Sequence, residues 1–319
     1  MNKSRAINYV YYQLKPFIPR RLQIFLRRKL VKRKCLLCRD IWPIDESAVN
    51  PPQGWSGWPD GKRFALILTH DVETIKGYDK CVELMKVEQE LGFRSSFNFI
   101  PERYDVSPEF RRHLTNNGFE VGIHDLNHDG KLYKSRKIFK ERAEQINRYL
   151  KEWNAVGFRS GSMQSNLEWI HDLNIRYDAS TFDTDPFEPS PEGVRTIFPF
   201  WVSSNASQPG YVELPYTLPQ DFTQFVLLRE ESIDIWKKKL DWIAQHGGMA
   251  LLITHPDYMN FSGGELGPEE YPAEYYRDFL EYIKSEYKGQ YWHVLPKEIA
   301  RFCADYVRGQ KYFIEKRFI

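Results

Sequence analysis

Apolar and polar positions change period repeatedly from about residue 64 onward. "FALILT" (Phe64 to Thr69) and "MALLIT" (Met249 to Thr254) are unbroken apolar runs of strand length, the pattern of strands covered on both faces. "SSFNFI" (Ser95 to Ile100) alternates with a period of two, and "FEVGIH" (Phe119 to His124) also reads as a strand. Shorter strands are predicted at "AVGF" (Ala155 to Phe158), "RYDAS" (Arg176 to Ser180), "YVELPY" (Tyr211 to Tyr216) and near Tyr291 to Leu295. Helical spacing fills the intervals: Gly77 to Leu91, Pro108 to Asn117 with Gly118 as its stop, Ser135 to Trp153, Glu231 to Gln245 ended by Gly247 and Gly248, a further helix, and a last one from Pro296. A Pro-rich excursion from Phe182 to Gly210 interrupts the alternation.

Seven or eight strand–helix units predict an α/β fold with a parallel sheet. Periodicity leaves a closed barrel and an open doubly wound sheet both open. Before the first strand, "WPIDESAVNPPQGWSGWPDGK" (Trp42 to Lys62) reads as a linker or extended wrap. The chain therefore divides into an extension over residues 1–62 and a domain over 63–319.

Charge separates these two parts further. The 319 residues carry a formal +2, yet residues 1–39 hold 12 Lys and Arg and no Asp or Glu. The remainder has 33 basic against 43 acidic residues, a formal −10. A basic head on an acidic body predicts an interaction tail and not a nucleic-acid-binding domain. Leu22, Ile24, Phe25, Leu26, Leu30 and Val31 lie among the basic residues. The head fits peripheral contact with an anionic membrane surface, or equally a solvated or core-packed helix. No apolar h-region follows the first basic residues, no run has transmembrane length, and cysteines are sparse, which predicts a cytoplasmic protein, with the inner membrane face as the peripheral site. Cys35 and Cys38 form a lone C-x-x-C with no second ligand pair nearby. The high aromatic content, 15%, suits a large core before a sugar cleft; Trp55, Trp58 and Trp201 are candidates for either use.

The polar residues of interest gather where the predicted strands end. Asp71 and Glu73 follow the first strand, His124 and His128 the third, Arg159 the fourth, and His255 and Asp257 the run "MALLIT"; Asp178 lies in the fifth. In a β/α barrel that edge carries the active site. Residues i and i+2 of an extended segment share a side, so Asp71 and Glu73 point the same way and His70 points away. Two imidazoles of an H-x-x-x-H pair and one carboxylate make a catalytic metal layout with an open position, and the second carboxylate is left as a general base.

"LTHDVE" (Leu68 to Glu73), "HDLNH" (His124 to His128), "GFRSGS" (Gly157 to Ser162), "YDAS" (Tyr177 to Ser180) and "LITH" (Leu252 to His255) resemble, in order and spacing, the five motifs of the polysaccharide deacetylases, the NodB-type family. The resemblance spans roughly Phe64 to Tyr258. It implies a distorted seven-stranded β/α barrel, a divalent metal with zinc foremost, and cleavage of N-acetyl groups from an amino sugar in a glycan, glycolipid or sugar-nucleotide precursor. By motif it implies Asp71 as catalytic base, Glu73, His124 and His128 as metal ligands, Arg159 as the residue holding the base, His255 as the catalytic histidine, and Asp178 as the carboxylate orienting His255. Two positions depart from the pattern: Val72 separates Asp71 from a Glu where the family has adjacent aspartates, and Gly161 stands where it usually has Pro, which predicts a looser loop after Arg159. Another amide hydrolase on the same scaffold, acting on a ureide or formamide, and a non-catalytic glycan-binding protein are the competing readings.

Overall fold

A computed structural model describes residues 19–188, 193–203 and 209–309. The first 18 residues of the basic head and parts of the Pro-rich excursion lie outside the described residues. Eleven strands are described: β1 (Phe64–Val72), β2 (Ser96–Phe99), β3 (Glu120–His124), β4 (Gly157–Arg159), β5 (Tyr177–Asp178), β6 (Phe200–Val202), β7 (Tyr211–Glu213), β8 (Met249–Thr254), β9 (Met259–Asn260), β10 (Tyr271–Pro272) and β11 (Tyr291–His293). The helices are α1 (Arg20–Leu37), α2 (Ile75–Leu91), α3 (Pro108–Asn116), α4 (Arg136–Trp153), α5 (Asp234–His246), α6 (Glu274–Glu286) and α7 (Pro296–Gly309).

The sheet is a distorted (β/α)7 barrel. β8, β1, β2, β3, β4, β5 and β7 run parallel in that order. β11 adds to the lower half of β1, and β6 pairs antiparallel with β7 at the far edge. β7 and β8 do not pair as strands. Thr217 closes the gap instead: its N–H and that of Leu218 reach the Leu251 carbonyl, and its hydroxyl donates to the Met249 carbonyl at 2.7 Å. Every residue of β1 and β8 is buried, as their unbroken apolar runs require.

Local signals place the helices. Ser107 and Ser135 accept hydrogen bonds from Phe110 and Ile138 at the starts of α3 and α4, and Gly92 closes α2 in the left-handed conformation. The expected alternation thins between β4 and β7, where single-turn 3₁₀ segments and loops replace helices. Part of the excursion forms β6, and a π-helical stretch over Phe222–Leu228 precedes α5. Trp55 and Trp58 do not line a cleft. They pack edge to face at 4.7 Å beneath the barrel, against Phe302, and Trp58 Nε1–H donates to Gly247 O.

Helix α1 packs on the π-helical stretch at the barrel's upper edge. Gln23, Ile24 and Val31 face inward. Among the described residues, no helix is long and apolar enough to cross a membrane.

Candidate metal centre

The upper end of β1 is built for polar side chains. Thr69 and Asp71 point into the barrel, where Arg159 Nη1–H reaches Thr69 Oγ1 and Asp71 Oδ1, each at 2.9 Å. Arg159 is nearly fully buried at the end of β4 and is tied by Nε–H to the Ala179 carbonyl. Asn98, opposite Asp71 in the β1–β2 register, donates to the same Oδ1 at 2.9 Å. Burial pushes the Asp71 carboxyl up. Arg159 foremost, with His124, His255 and the Asn98 hydrogen bond, outweighs it and holds Asp71 ionised, well below the usual range. His70 faces away, its ring nitrogens on Thr254 Oγ1 and Glu88 Oε1.

Glu73, His124 and His128 each present one donor atom, all within 4.8 Å of one another. His124 ends β3, and His128 follows after a turn in which Asp125 and His128 both have positive φ. The two rings stand 4.9 Å apart. His124 Nδ1 lies 3.2 Å from the Arg159 carbonyl, a contact that puts the proton on Nδ1 and leaves Nε2 free toward Asp71 and the cluster. Burial lowers the His124 pKa and keeps the ring neutral, the form that binds a cation. His128 Nε2 sits 3.3 Å from Glu73 Oε1, and Tyr258 donates to Glu73 Oε2 at 3.0 Å. Burial raises Glu73, but the three histidines and Tyr258 bring it down to about 2. Two imidazole nitrogens and one carboxylate fit a divalent ion of zinc type.

Gly161 makes this packing possible. A Cβ there would meet Asp125 Oδ2 at 2.7 Å and His128 Cδ2 at 2.8 Å. The turn after β4 is therefore not loose: the missing side chain is filled by the His128 ring.

His255 follows β8. Its Nδ1 lies 2.7 Å from Asp221 Oδ1, its backbone N–H donates to Asp221 Oδ2 at 2.7 Å, and Tyr271 donates to that same oxygen. Burial works against charge on His255, yet Asp221, with Glu73 and Asp71 behind it, raises the ring to about 10, so it is an imidazolium at neutral pH. The carboxylate orienting His255 is thus Asp221, not Asp178. Asp178 accepts from Ser180 Oγ at 2.6 Å and pairs with Glu213 across the β5–β7 register; burial raises both carboxyl groups. The physical reason is position: Asp178 on β5 faces its neighbour on β7, while Asp221 in the segment after β7 meets both the ring and the N–H of His255.

Four site residues lay beyond the sequence reading. Asn98 had a usable signal, a polar side chain on one face of an alternating strand, in register with Asp71. Asp257, noted beside His255 but given no role, accepts from the Glu73 N–H at 2.9 Å and from Thr74 Oγ1. Tyr258 and Asp221 lie in segments without periodicity, and no local pattern separates them from other loop residues.

No protein-family profile and no curated protein sequence matches the chain. Solved structures do. One, assigned as a polysaccharide deacetylase from Mycobacterium smegmatis, superposes with a TM-score of 0.65 at 17% identity, covering 84% of this chain and 99% of that one. Another, assigned as a polysaccharide deacetylase from Pseudomonas aeruginosa PAO1, gives 0.63 at 16% identity over 82% and 97%. The Puue allantoinase gives 0.60 at 17% identity over 79% and 93%. The chain has the fold of these polysaccharide deacetylases.

Proposed function

We propose that this protein is a metal-dependent hydrolase that removes the acetyl group from the nitrogen of an amino sugar. One observation carries the reading: Glu73, His124 and His128 bring three donor atoms within 4.8 Å of one another, with Asp71, held by Arg159, 3.9 Å from His124 Nε2 and with His255 held by Asp221 as the acid. A divalent ion held by that cluster, zinc by its donor set, would supply Lewis acidity for water and the acetamide oxygen. Asp71, held by Arg159 and Asn98, takes the proton of the attacking water. His255 gives its proton to the departing nitrogen, which leaves as an amine and not as an amide anion. Asp221 holds the ring by Nδ1 and leaves Nε2 to face the substrate.

An N-acetylated sugar is favoured as substrate by the five-motif resemblance and by the two deacetylase-assigned structures of the same fold. The allantoinase likeness supports a second reading, hydrolysis of a ureide on the same site. Acetate release from N-acetylated sugar nucleotides and glycans, with and without chelator, separates them. Metal-dependent acetate, lost in His128→Ala by roughly a hundredfold or more, is the expected result. Turnover of ureides alone moves the assignment to the second reading, and purified protein that takes up no stoichiometric metal removes both.

A further inference from the structure

We propose that the outer face of α1 docks on an anionic lipid bilayer, which sets the mouth of the metal centre against the membrane surface. Nine large hydrophobic residues are exposed among the described residues, and seven of them fall between Leu22 and Ile41. Six are on α1: Leu22, Phe25, Leu26, Leu30, Leu36 and Leu37, with Phe25 51%, Leu30 56% and Leu37 78% exposed. Their spacing puts Leu22, Phe25 and Leu36 on the side opposite the packed residues Gln23, Ile24 and Val31, with the exposed Leu26, Leu30 and Leu37 on the flank beside Gln23. Arg21, Lys29, Lys32 and Arg33 are interleaved on that outer side, and α1 contains eight basic and no acidic residues. Apolar anchors mixed with unopposed cations complement an anionic interface, where acyl chains take the first and headgroups the second. The remaining two exposed hydrophobics border the same edge: Ile75 is two residues beyond Glu73, and Leu266 precedes Pro268 and Glu269, which accept from Arg28 and Arg20.

The inner side of α1 reaches the site. Arg27 lies over the Phe222 ring at 4.8 Å, Phe222 packs on Tyr258 at 4.9 Å, and Tyr258 donates to Glu73. The same helix thus walls the mouth with one face and offers the other outward. Resting on the deacetylase reading above, this geometry points to an amino sugar carried on a lipid, whose headgroup enters from the bilayer plane.

The test is co-sedimentation of the full chain with phosphatidylcholine vesicles and with vesicles of phosphatidylcholine plus phosphatidylglycerol, at low and high salt. Binding only to the anionic vesicles, weakened by salt, is expected. Lys29→Glu with Arg33→Glu should weaken it by roughly fivefold or more for each charge removed, and Phe25→Ser with Leu30→Ser should abolish it. Thermal melts matching wild type, and unchanged turnover of a water-soluble N-acetylated sugar, show that each variant is folded. No binding to anionic vesicles at low salt, equal binding to neutral ones, or a wild-type dimer in solution that Phe25→Ser with Leu30→Ser dissolves would overturn the proposal. Vesicle binding without acetate release from any substrate keeps the docking surface and removes the deacetylase reading, so the two fail separately.

Discussion

Two buried carboxyl groups differ in what they hold: one faces a second carboxyl group, the other an imidazole. Asp178 and Asp221 are both buried, yet they fall on opposite sides of this division. Asp178 shares its surroundings with Glu213, and burial raises both. Asp221 bonds His255 twice, once at the ring and once at the backbone. Asp178→Asn should therefore leave kcat close to wild type, because Asp178 bonds Ser180 and not His255. Asp221→Asn should cut kcat by roughly 10²–10⁴, the usual worth of a positioned acid. The pH profile should change too. With the Asp221 charge gone, burial pulls the His255 pKa down from about 10 against only the Glu73 and Asp71 carboxylates. Activity that needs the protonated ring would then fall away at a lower pH than in wild type. Steady-state profiles of the two variants decide the assignment. Equal losses, or an unmoved alkaline limb in Asp221→Asn, would return the orienting role to Asp178.

At the scale of elements, the turn after β4 shows how one missing atom sets a site. Gly161 leaves the space that the His128 ring occupies, so Gly161→Ala must push either that ring or Asp125 aside. The expected result is a fold unchanged by circular dichroism and a metal affinity lower by roughly 10–100-fold, read by competition with a chromogenic chelator. Unaltered affinity would mean that the turn yields at no cost. The same turn marks a boundary of what the sequence could convey. Strands with unbroken apolar runs, β1 and β8, and helices with serine caps, α3 and α4, were legible because local forces and tertiary burial agree there. So was the convergence of Glu73, His124 and His128, since strand ends of a parallel barrel must meet at one edge. The partner of His255 was not legible. Asp221 opens a π-helical stretch whose position depends on how the chain climbs from β7 to β8, a long-range closure with no periodic signature. Gly161 was misread for a related reason: glycine speaks of room, and only coordinates show what takes it.

The whole molecule carries a pH dependence that does not pass through the site. Glu120 lies at the lower end of β3, fully buried, where Tyr177 and the Lys297 N–H are its hydrogen-bond donors. Burial raises its pKa from 4.5 to about 7, with those hydrogen bonds only partly opposing. The folded chain thus retains a proton that the unfolded chain releases, and the linkage has a definite sign. This group's contribution is complete below pH 4.5 and is lost as pH rises through about 7. The shift of two and a half pK units corresponds to about 3 kcal/mol at most. Glu120→Gln removes the titration while still offering an oxygen to Lys297 and an amide to Tyr177. Its melting temperature should match wild type at pH 5 and exceed it by a few degrees at pH 8. Measuring both proteins across that range isolates this carboxyl group from Asp178 and Glu213, whose raised pKa values push in the same direction but remain in both chains. A wild type that gains stability relative to Glu120→Gln as pH rises would show that Glu120 is ionised in the fold, held by its two donors against the cost of burial.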